Sequence, residues 1–434
     1  MIGIDWGTST SSIAHAGSDG AAVRLLDIGA DGGTRVPSTV WVPREPRFDA
    51  PPDDIGRAMV LAPELIRRGA LRFGAAATDA MLRGDDSGFY VKSPKSFLGA
   101  ELRDRQIDNF TALVERMLGH LLDRAEQTLG TRPTRAVIGR PVRYHGTRGE
   151  AGNAQAMAVM EAAARGAGLE EARFLLEPVA AAYAYENTLA RERLALIVDA
   201  GGGTTDLTLM RLGPQRAGRR DREADVLATA GDRLGGTDLD ARLAFRSFTP
   251  ALGRETLLET GLPIPSHHYV DLCGVADVNA QTRFGSAATG AALADYLARA
   301  RAPDALRRLQ HVHATGASFR LNRTSEATKI ALSDADPVTA DLAWTSPDGA
   351  DLSLVVERSD LAWAALPLLE RVGHLAAEIE AQAGARPDVV FVTGGTALSP
   401  VVADGLRARL GGAELVVGDL FGSVAAGLGL AAAR

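Results

Sequence analysis

The chain has 434 residues, and 47 basic side chains against 54 acidic ones give a formal net charge of −7 at pH 7. This balance argues against a nucleic-acid binder, because such proteins usually carry a basic surplus that neutralises phosphates. No apolar run reaches the roughly 18 residues of a membrane span, and no basic leader precedes the first strand pattern. We therefore expect a cytoplasmic protein with no membrane partner. The one cysteine, Cys273, excludes an internal disulfide.

Lysine is rare in this chain. Only Lys92, Lys95 and Lys329 are lysines among the 47 basic residues. Because arginine serves wherever a generic cation is needed, a retained lysine indicates a place where a compact ammonium is required. Two of the three lie within four residues, which makes Lys95 the leading candidate for a phosphate-binding lysine. A solvated surface lysine is the alternative.

Strand-length apolar runs alternate with long helical patterns along the chain. The runs are at 1–4, 195–198 and 389–392, and the longest helical patterns are at 110–129, 153–167, 178–189 and 361–383. Buried strands that alternate with helices predict an α/β fold with covered sheets. The length predicts about two or three domains.

The first two of these strands end in the same pattern. Asp5-Trp6-Gly7-Thr8-Ser9 follows the first strand, and Asp199-Ala200-Gly201-Gly202-Gly203-Thr204-Thr205-Asp206 follows the second. A further strand pattern comes after each turn, at 12–16 and 207–212, so both segments are hairpins. The repetition predicts a weak internal duplication and therefore two similar lobes.

The two hairpin turns have the chemistry of phosphate loops. Glycines let backbone N–H groups approach phosphate oxygens, and hydroxyl side chains add donors. Asp5 and Asp199 open the turns at the carboxyl ends of strands, where a carboxylate suits Mg²⁺ bridging substrate phosphates. One such turn alone is compatible with a plain hairpin, but a matched pair favours a polyphosphate ligand. The third turn, with Gly394 and Gly395, can receive a base or ribose, or be a tight β–α turn without a ligand.

Several other site classes are excluded by their missing motifs. The chain has no Gly-x-x-x-x-Gly-Lys-Ser/Thr loop and no Gly-x-Gly-x-x-Gly that opens a helix behind a strand, which excludes P-loop enzymes and makes a dinucleotide dehydrogenase an unfavoured interpretation. The eight histidines lack the spacing of a zinc site. The hydrolase nucleophile elbow is absent as well.

Three polar segments interrupt the strand and helix patterns. Residues 44–88 predict an irregular insertion in the first lobe, residues 213–225 a surface loop rich in arginine and acidic residues, and residues 260–290 show no clear periodicity. The Ala/Gly-rich end at 424–433 predicts a buried helix.

Six segments carry a resemblance to a known family. They are 2–9 (Ile-Gly-Ile-Asp-Trp-Gly-Thr-Ser), 177–185 (Glu-Pro-Val-Ala-Ala-Ala-Tyr-Ala-Tyr), 199–206, 231–240 (Gly-Asp-Arg-Leu-Gly-Gly-Thr-Asp-Leu-Asp), 329–333 (Lys-Ile-Ala-Leu-Ser) and 394–395 (Gly-Gly). Together they resemble the actin-like ATPase superfamily, and within it the nucleotide-binding domain of the seventy-kilodalton heat-shock (DnaK-type) chaperones. Sugar kinases share the two phosphate loops but lack the second and fourth segments. The Lys-Ser-Pro-Lys-Ser-Phe-Leu-Gly stretch at 92–99 looks most like the short YegD-type members.

The resemblance implies two duplicated, ribonuclease H-like lobes around a cleft for ATP or ADP with Mg²⁺. The implied lobes are 1–193, with the insertion at about 44–88, and 194–371; residues 372–434 carry the adenosine motif and close the lobes. The β-sandwich peptide-binding domain of the chaperones is expected to be missing. Pro141 matches the hinge proline that couples nucleotide state to the rest of the molecule.

The resemblance also implies a role for each site residue. The implied metal positions are Asp5 and Asp199, and the implied catalytic residues are Lys95, Glu177, Asp206 and Thr204. The implied nucleotide contacts are Gly7, Thr8, Ser9, Gly201, Gly202, Gly203, Glu326, Lys329, Ser333, Gly394 and Gly395. Spacings of three and seven place Glu326, Lys329 and Ser333 on one helical face.

The implied function is slow Mg-dependent ATP hydrolysis in a chaperone-like switch that acts on an unidentified protein client or co-chaperone. Two departures concern the base: Leu398 stands where the family commonly has an arginine beside adenine, and Ile330 replaces another basic contact. They predict a weaker or altered purine selectivity. A small-molecule kinase of the same fold and a non-hydrolysing nucleotide sensor or assembly protein stay open as alternatives.

Overall fold

The computed structural model describes residues 1–17, 23–43, 63–83, 88–144, 148–217, 219, 222–418 and 422–433. Sixteen strands lie within these ranges. They are β1 (Ile2–Trp6), β2 (Thr10–His15), β3 (Arg24–Leu25), β4 (Arg35–Pro37), β5 (Thr39–Pro43), β6 (Arg72–Phe73), β7 (Gly88–Lys92), β8 (Arg135–Arg140), β9 (Glu171–Leu176), β10 (Arg193–Ala200), β11 (Thr205–Leu212), β12 (Val226–Asp232), β13 (Val338–Asp341), β14 (Ser353–Val356), β15 (Val389–Thr393) and β16 (Glu414–Val417).

Fourteen α-helices lie within the same ranges. They are α1 (Pro63–Arg68), α2 (Ala75–Leu82), α3 (Asp104–Leu129), α4 (Gly149–Gly166), α5 (Glu177–Glu186), α6 (Gly236–Ser247), α7 (His267–Cys273), α8 (Val278–Phe284), α9 (Ala287–Ala298), α10 (Pro303–Ala314), α11 (Ser318–Ala331), α12 (Arg358–Ala383), α13 (Pro400–Arg409) and α14 (Ser423–Ala433). Short 3₁₀ turns at Pro94–Phe97, Glu223–Asp225, Thr249–Leu252, Ala343–Thr345 and Gly395–Leu398 complete the described elements.

Two large sheets repeat one design. In the first, with strand order β3-β2-β1-β8-β9, β1 is antiparallel to β2 and parallel to β8; in the second, with order β12-β11-β10-β15-β16, β10 is antiparallel to β11 and parallel to β15. We call the parts built on these sheets lobe I and lobe II. The repetition confirms the α/β fold and agrees with the expected duplication. The boundaries at 193 and 371 stay predictions.

The lobes meet through two packed helices, α5 and α14. Pro178 occupies the first turn of α5, where its fixed φ suits a helix start and its missing N–H costs nothing. A Cβ at Gly427 of α14 would lie 1.7 Å from the carbonyl oxygen of Ala180 in α5. Only glycine permits this approach, so the two helices cross in backbone contact. Apolar side chains from β10 and β15 complete the core around them.

The insertion predicted at about 44–88 is more regular than expected where the structure describes it. Residues 44–62 and 84–87 lie outside the described residues. The remainder forms α1, β6 and α2, and β6 and β7 flank β5 in a three-stranded sheet. The expectation of irregular structure is therefore wrong for this part, because elements of two to eight residues are too short to produce a readable hydrophobic period.

Two other segments also differ from expectation. Residues 213–225 are not wholly a surface loop, because Arg222 and Asp225 are buried and form an ion pair with each other, and Arg222 also pairs with the buried Glu186 of α5. Residues 260–290, which lack periodicity, contain the seven-residue helices α7 and α8. Each of these helices is only about two turns long, which hides its period in the sequence.

Candidate functional site

The two glycine-rich turns face each other across the cleft. A Cβ at Gly202 would lie 2.0 Å from the Ser9 hydroxyl oxygen, and one at Gly203 would lie 2.7 Å from the Thr8 methyl carbon. The second turn closes on itself through a hydrogen bond from the Gly201 N–H to the Thr204 carbonyl, at 2.9 Å. Each turn thus presents backbone and hydroxyl groups to the other, which is the arrangement that grips a polyphosphate from two sides.

One cavity of about 1650 Å³ contains most of the predicted site residues. Those that line it are Asp5, Gly7, Thr8, Ser9, Lys95, Glu177, Asp199, Gly201, Gly202, Thr204, Glu326, Lys329, Ser333, Gly394 and Gly395. Two do not line it: Gly203 lies against Thr8, and Asp206 is 1% exposed. The fold therefore assembles residues from both lobes around one space that is large enough for a nucleotide.

Lys95 lies on the 3₁₀ turn Pro94–Phe97, which hydrogen bonds connect to the first glycine-rich turn. Ser93 has a φ of +56°, a strained left-handed conformation for a non-glycine residue. Its N–H donates to the Ser38 carbonyl at 2.9 Å, and the Ser38 hydroxyl donates to the Gly7 carbonyl at 2.6 Å. These bonds fix the turn that carries Lys95 relative to Gly7.

Lys95 is buried and forms an ion pair with Glu177, the first residue of α5. Burial lowers the pKa of Lys95, but Glu177 opposes it most strongly among the surrounding oxygen groups and the net pKa is raised. The side chain is therefore a permanent ammonium at neutral pH. It brings one fixed positive charge to a site that is otherwise acidic.

Three aspartates surround this pair. Burial raises the pKa of Asp5 to about 7, with Glu177 adding to the shift and Lys95 opposing it. Burial likewise raises the pKa of Asp206 to about 7, again with Glu177 adding. The pKa of Asp199 is raised well above its usual range by burial and by the neighbouring carboxylates. Four carboxyl groups thus share one ammonium, and the excess negative potential favours a further cation.

The donor chemistry of these carboxyl groups fits Mg²⁺. Oxygen ligands suit this hard cation, which usually keeps several waters and uses one or two carboxylates beside substrate phosphates. Among the described residues, no three or more His, Cys, Asp or Glu side chains gather closely enough to hold a metal directly. Asp5 and Asp199 fit the water-mediated arrangement rather than an all-protein cage.

Raised carboxyl pKa values predict a pH-dependent stability. The folded-state pKa of about 7 for Asp5 and Asp206 lies above the ordinary 3.8, so the folded protein binds more protons than the unfolded chain between these values. The stability that these groups contribute therefore falls as pH rises from about 4 to about 7 and then stays constant.

We expect the Tm of the wild type, without metal, to fall between pH 5.5 and 8, and the Tm of Asp206→Asn to fall by a few degrees less. Asp404→Asn, on an exposed residue, is the matched control, and a wild-type slope in Asp206→Asn would contradict the assignment.

The remaining predicted contacts lie on α11 and on the turn after β15. Lys329 pairs with the buried Asp240 at 2.7 Å and donates to the Gly236 carbonyl at 3.3 Å. Gly394 has a φ of +91°, and a Cβ there would lie 2.3 Å from the Ala200 carbonyl oxygen, so this turn packs directly on the end of β10. Helix α11 ends at Ala331, and Ser333 lies in the turn that directly follows, where its N–H donates to the Ile330 carbonyl at 3.0 Å. All these elements still line the same cavity.

Lys92 connects the two lobes beside the cavity, because its partner Glu326 lines the cavity. This residue ends β7 of lobe I, and its ammonium lies 2.8 Å from the Asn322 amide oxygen and 3.3 Å from a Glu326 carboxylate oxygen, both on α11 of lobe II. Tyr90 of the same strand meets Phe319 of α11 edge to face at 5.2 Å. In the sequence, Lys92 stands out only as one of three lysines, and no role was predicted for it.

We expect Lys92→Met to accelerate nucleotide release about three- to tenfold, because it removes a half-buried ionic contact between the lobes. The control is Arg323→Met, which removes a contact of the same 3.3 Å to Glu326 within α11. Release of a fluorescent nucleotide, chased with unlabelled ATP, measures the rate. Equal release from the Lys92 and Arg323 variants would show that the contact between the lobes does not hold the cleft closed.

Other residues near the site were not assigned from the sequence. The Val142 N–H, next to the predicted hinge Pro141, donates to Asp206 at 3.1 Å, which connects that segment to the acidic group. Tyr144 is buried, and burial raises its pKa, with Lys95 opposing the shift. Asp240 belongs to the Gly-Gly-x-Asp-x-Asp pattern at 235–240, so the residue had a visible sequence signal, although its pairing with Lys329 did not.

Part of the chain is similar in sequence to known proteins. A family model described as Hsp70 protein matches residues 96–251. The chaperone protein DnaK of Elusimicrobium minutum is 31% identical over 245 residues, which are 55% of this chain and 33% of that protein. The chaperone protein HscA homolog of Paracidovorax citrulli is 32% identical over 250 residues (51% and 37%), and that of Azoarcus sp. is 35% identical over 218 residues (44% and 32%). The chain spans about a third of the length of these relatives.

The fold with its two matching lobes is the actin-like ATPase fold. Over residues 96–251 the chain is similar to the Hsp70 family. None of the helices in the described ranges has both the length and the apolar character needed to cross a bilayer.

Proposed function

We propose that this protein binds Mg·ATP in the cleft, hydrolyses it slowly and uses the nucleotide state to open and close its lobes as a chaperone-like switch. The observation that carries the proposal is the placement of a buried Lys95–Glu177 pair and three aspartates beside two facing glycine-rich turns. Neither group of residues alone distinguishes ATP hydrolysis from simple anion binding. Together they provide both a polyphosphate cradle and groups for phosphoryl-transfer chemistry.

Each residue has a distinct role in this proposal. Backbone amides of Gly202 and Gly203 and the hydroxyls of Thr8, Ser9 and Thr204 bind the phosphates. The Lys95 ammonium neutralises charge that develops on the terminal phosphoryl group, and Glu177 and Asp206 orient the attacking water. Asp5 and Asp199 would hold Mg²⁺ through its water ligands, and the ion would supply charge neutralisation for the phosphates.

The switch follows from the way the lobes are joined. Glu177 begins α5, and α5 crosses α14 in backbone contact, so a change at the phosphate end of the cleft is transmitted to the helices between the lobes. Between β7 and α11, Lys92 and Glu326 provide a contact that forms or breaks as the lobes move. The proposed cycle also needs a protein client or co-chaperone that distinguishes the closed lobes from the open ones. The sequence similarity to DnaK and HscA chaperone proteins supports such a partner.

Phosphate release from ATP tests the enzymatic part of the proposal. We expect slow turnover that requires Mg²⁺ and stops in EDTA, and loss of turnover in Asp199→Asn. Asp404→Asn, which changes an exposed aspartate paired with Arg407, serves as the matched control. ATP binding without phosphate release would support a nucleotide sensor instead. Transfer of the γ-phosphate to a small molecule, followed with labelled ATP, would support a kinase.

A further inference from the structure

Two exposed aliphatic side chains line the lobe II side of the cavity. Ile330, on α11, is 57% exposed, and Leu398, at the end of the 3₁₀ turn after β15, is 40% exposed; both line the cavity. Exposed apolar side chains that share a concave surface are a common sign of a ligand contact. They stand on two separate walls of the cavity.

These two walls converge beside the second glycine-rich turn. A Cβ at Gly236 would lie 2.6 Å from the Thr396 hydroxyl oxygen on one wall and 3.3 Å from the Lys329 ammonium on the other. The Thr396 hydroxyl in turn donates to the Gly201 carbonyl at 2.7 Å. The part of the cavity that Ile330 and Leu398 line, called the slot below, therefore adjoins the turn that is proposed to bind phosphates, which is a suitable position for the base of the same nucleotide.

The charged side chains that α11 contributes to the slot are already paired within the protein. Lys329 pairs with Asp240, and Glu326 pairs with Lys92 and Arg323. Burial raises the pKa of Glu326, but these cations outweigh the effect, and its net pKa is lowered, so it stays an acceptor for its own partners. These paired groups are therefore not available to the edge of a base, and the exposed Asp334 is the charged group that can reach it.

Hydroxyl groups supply the remaining polar contacts of the slot. Ser399 is 6% exposed, and its hydroxyl has no hydrogen-bond partner within the described ranges. Ser333 is half-buried and Asp334 is exposed, and both line the cavity. A hydroxyl rotates to donate or accept, so it serves the 6-amino group of adenine and the 6-oxo group of guanine equally. The Asp334 carboxylate accepts from an adenine amino group or from guanine N1–H.

We propose that Ile330 and Leu398 hold a purine base by apolar contact and that the protein accepts purine nucleoside triphosphates with little discrimination between adenine and guanine. This inference rests on the proposed binding of a nucleoside triphosphate in the cleft. The physical reason is that strong base selection needs buried donors and acceptors that a wrong base leaves unpaired, whereas apolar walls select mainly by size.

Calorimetric titration with the Mg complexes of ATP, GTP, ITP and UTP tests the proposal. We expect the dissociation constants of the three purine nucleotides to agree within about tenfold and the smaller pyrimidine to bind more weakly. A preference for ATP over GTP of more than about 100-fold would contradict the proposed lack of discrimination between the purines and leave the proposed function intact. Absence of binding by every nucleotide would overturn both.

A pair of variants identifies the side chain responsible. Leu398→Ala is expected to weaken ATP and GTP to a similar degree, about three- to tenfold, because it removes apolar contact from either base. Leu366→Ala is the matched control, since Leu366 is 42% exposed on α12 and does not line the cavity. Unchanged affinity in Leu398→Ala, or a loss confined to one purine, would overturn the assignment.

Discussion

Replacing Lys95 with alanine is expected to reduce ATP turnover at least about 100-fold while Mg·ATP still binds. Removal of one preorganised positive group from a phosphoryl-transfer site costs this much because no other group replaces its charge in the transition state. Lys95 is the only cation paired with Glu177 among the described residues, and it is 4% exposed, so water cannot easily substitute. Phosphate release and calorimetric binding, measured on the same preparation, separate turnover from affinity.

Lys95→Arg is the stricter variant because it preserves the charge. The compact ammonium is buried beside Glu177 at the start of α5, and a planar guanidinium needs more room and a different donor geometry. We therefore expect Lys95→Arg to lose most of the turnover as well. Full activity in Lys95→Arg would contradict the interpretation that rare lysines mark positions where arginine does not serve.

Removing Arg222 is expected to lower the free energy of unfolding by about 3–5 kcal/mol, the usual cost of breaking a buried ion pair. Its guanidinium donates to both Glu186 oxygens, at 2.7 and 2.9 Å, and to Asp225 at 2.5 Å, and all three residues are buried. The Gly213 N–H also donates to Glu186, at 2.9 Å, which attaches the 213–225 segment to α5. Arg222→Ala would leave a carboxylate of α5 without its cation.

Urea denaturation measures this effect against an exposed ion pair. Arg132 contacts Asp123 and Glu126 with side chains that are 36–58% exposed, so Arg132→Ala is expected to cost less than about 1 kcal/mol. The double variant Arg222→Met/Glu186→Gln is expected to be less destabilised than the sum of its single variants. Equal losses in Arg222→Ala and Arg132→Ala would contradict a structural role for the buried pair.

The parts of the fold that could be predicted from sequence depend on local signals. Each glycine-rich turn lies between two strand patterns, so the hairpins β1–β2 and β10–β11 were predictable without knowledge of distant contacts. Their facing arrangement followed from the repeated pattern. Most of the predicted site residues line one cavity, and they were assigned from the matched pair of turns, from the rarity of lysine and from the family resemblance.

The parts that sequence reasoning missed depend on long-range pairing. Lys92 and Glu326 are 234 positions apart, and nothing near either residue indicates the other. Arg222 lies in a polar segment that predicts exposure, and only the position of Glu186 in the folded chain makes its burial possible. Short elements such as α7 and α8 escaped prediction because about two helical turns give too few apolar positions to define a period.

The most direct test of the account is a calorimetric titration of Mg·ATP into the wild type and Gly202→Val. A side chain at Gly202 would lie 2.0 Å from the Ser9 hydroxyl oxygen and fill the gap between the two turns, whereas Gly119, on α3, has open space beside it, so Gly119→Val is the matched control. We predict one nucleotide bound per chain in the wild type and in Gly119→Val, and no measurable binding in Gly202→Val. No heat from the wild type at high protein concentration, or undiminished binding by Gly202→Val, would contradict the claim that the facing glycine turns hold the nucleotide.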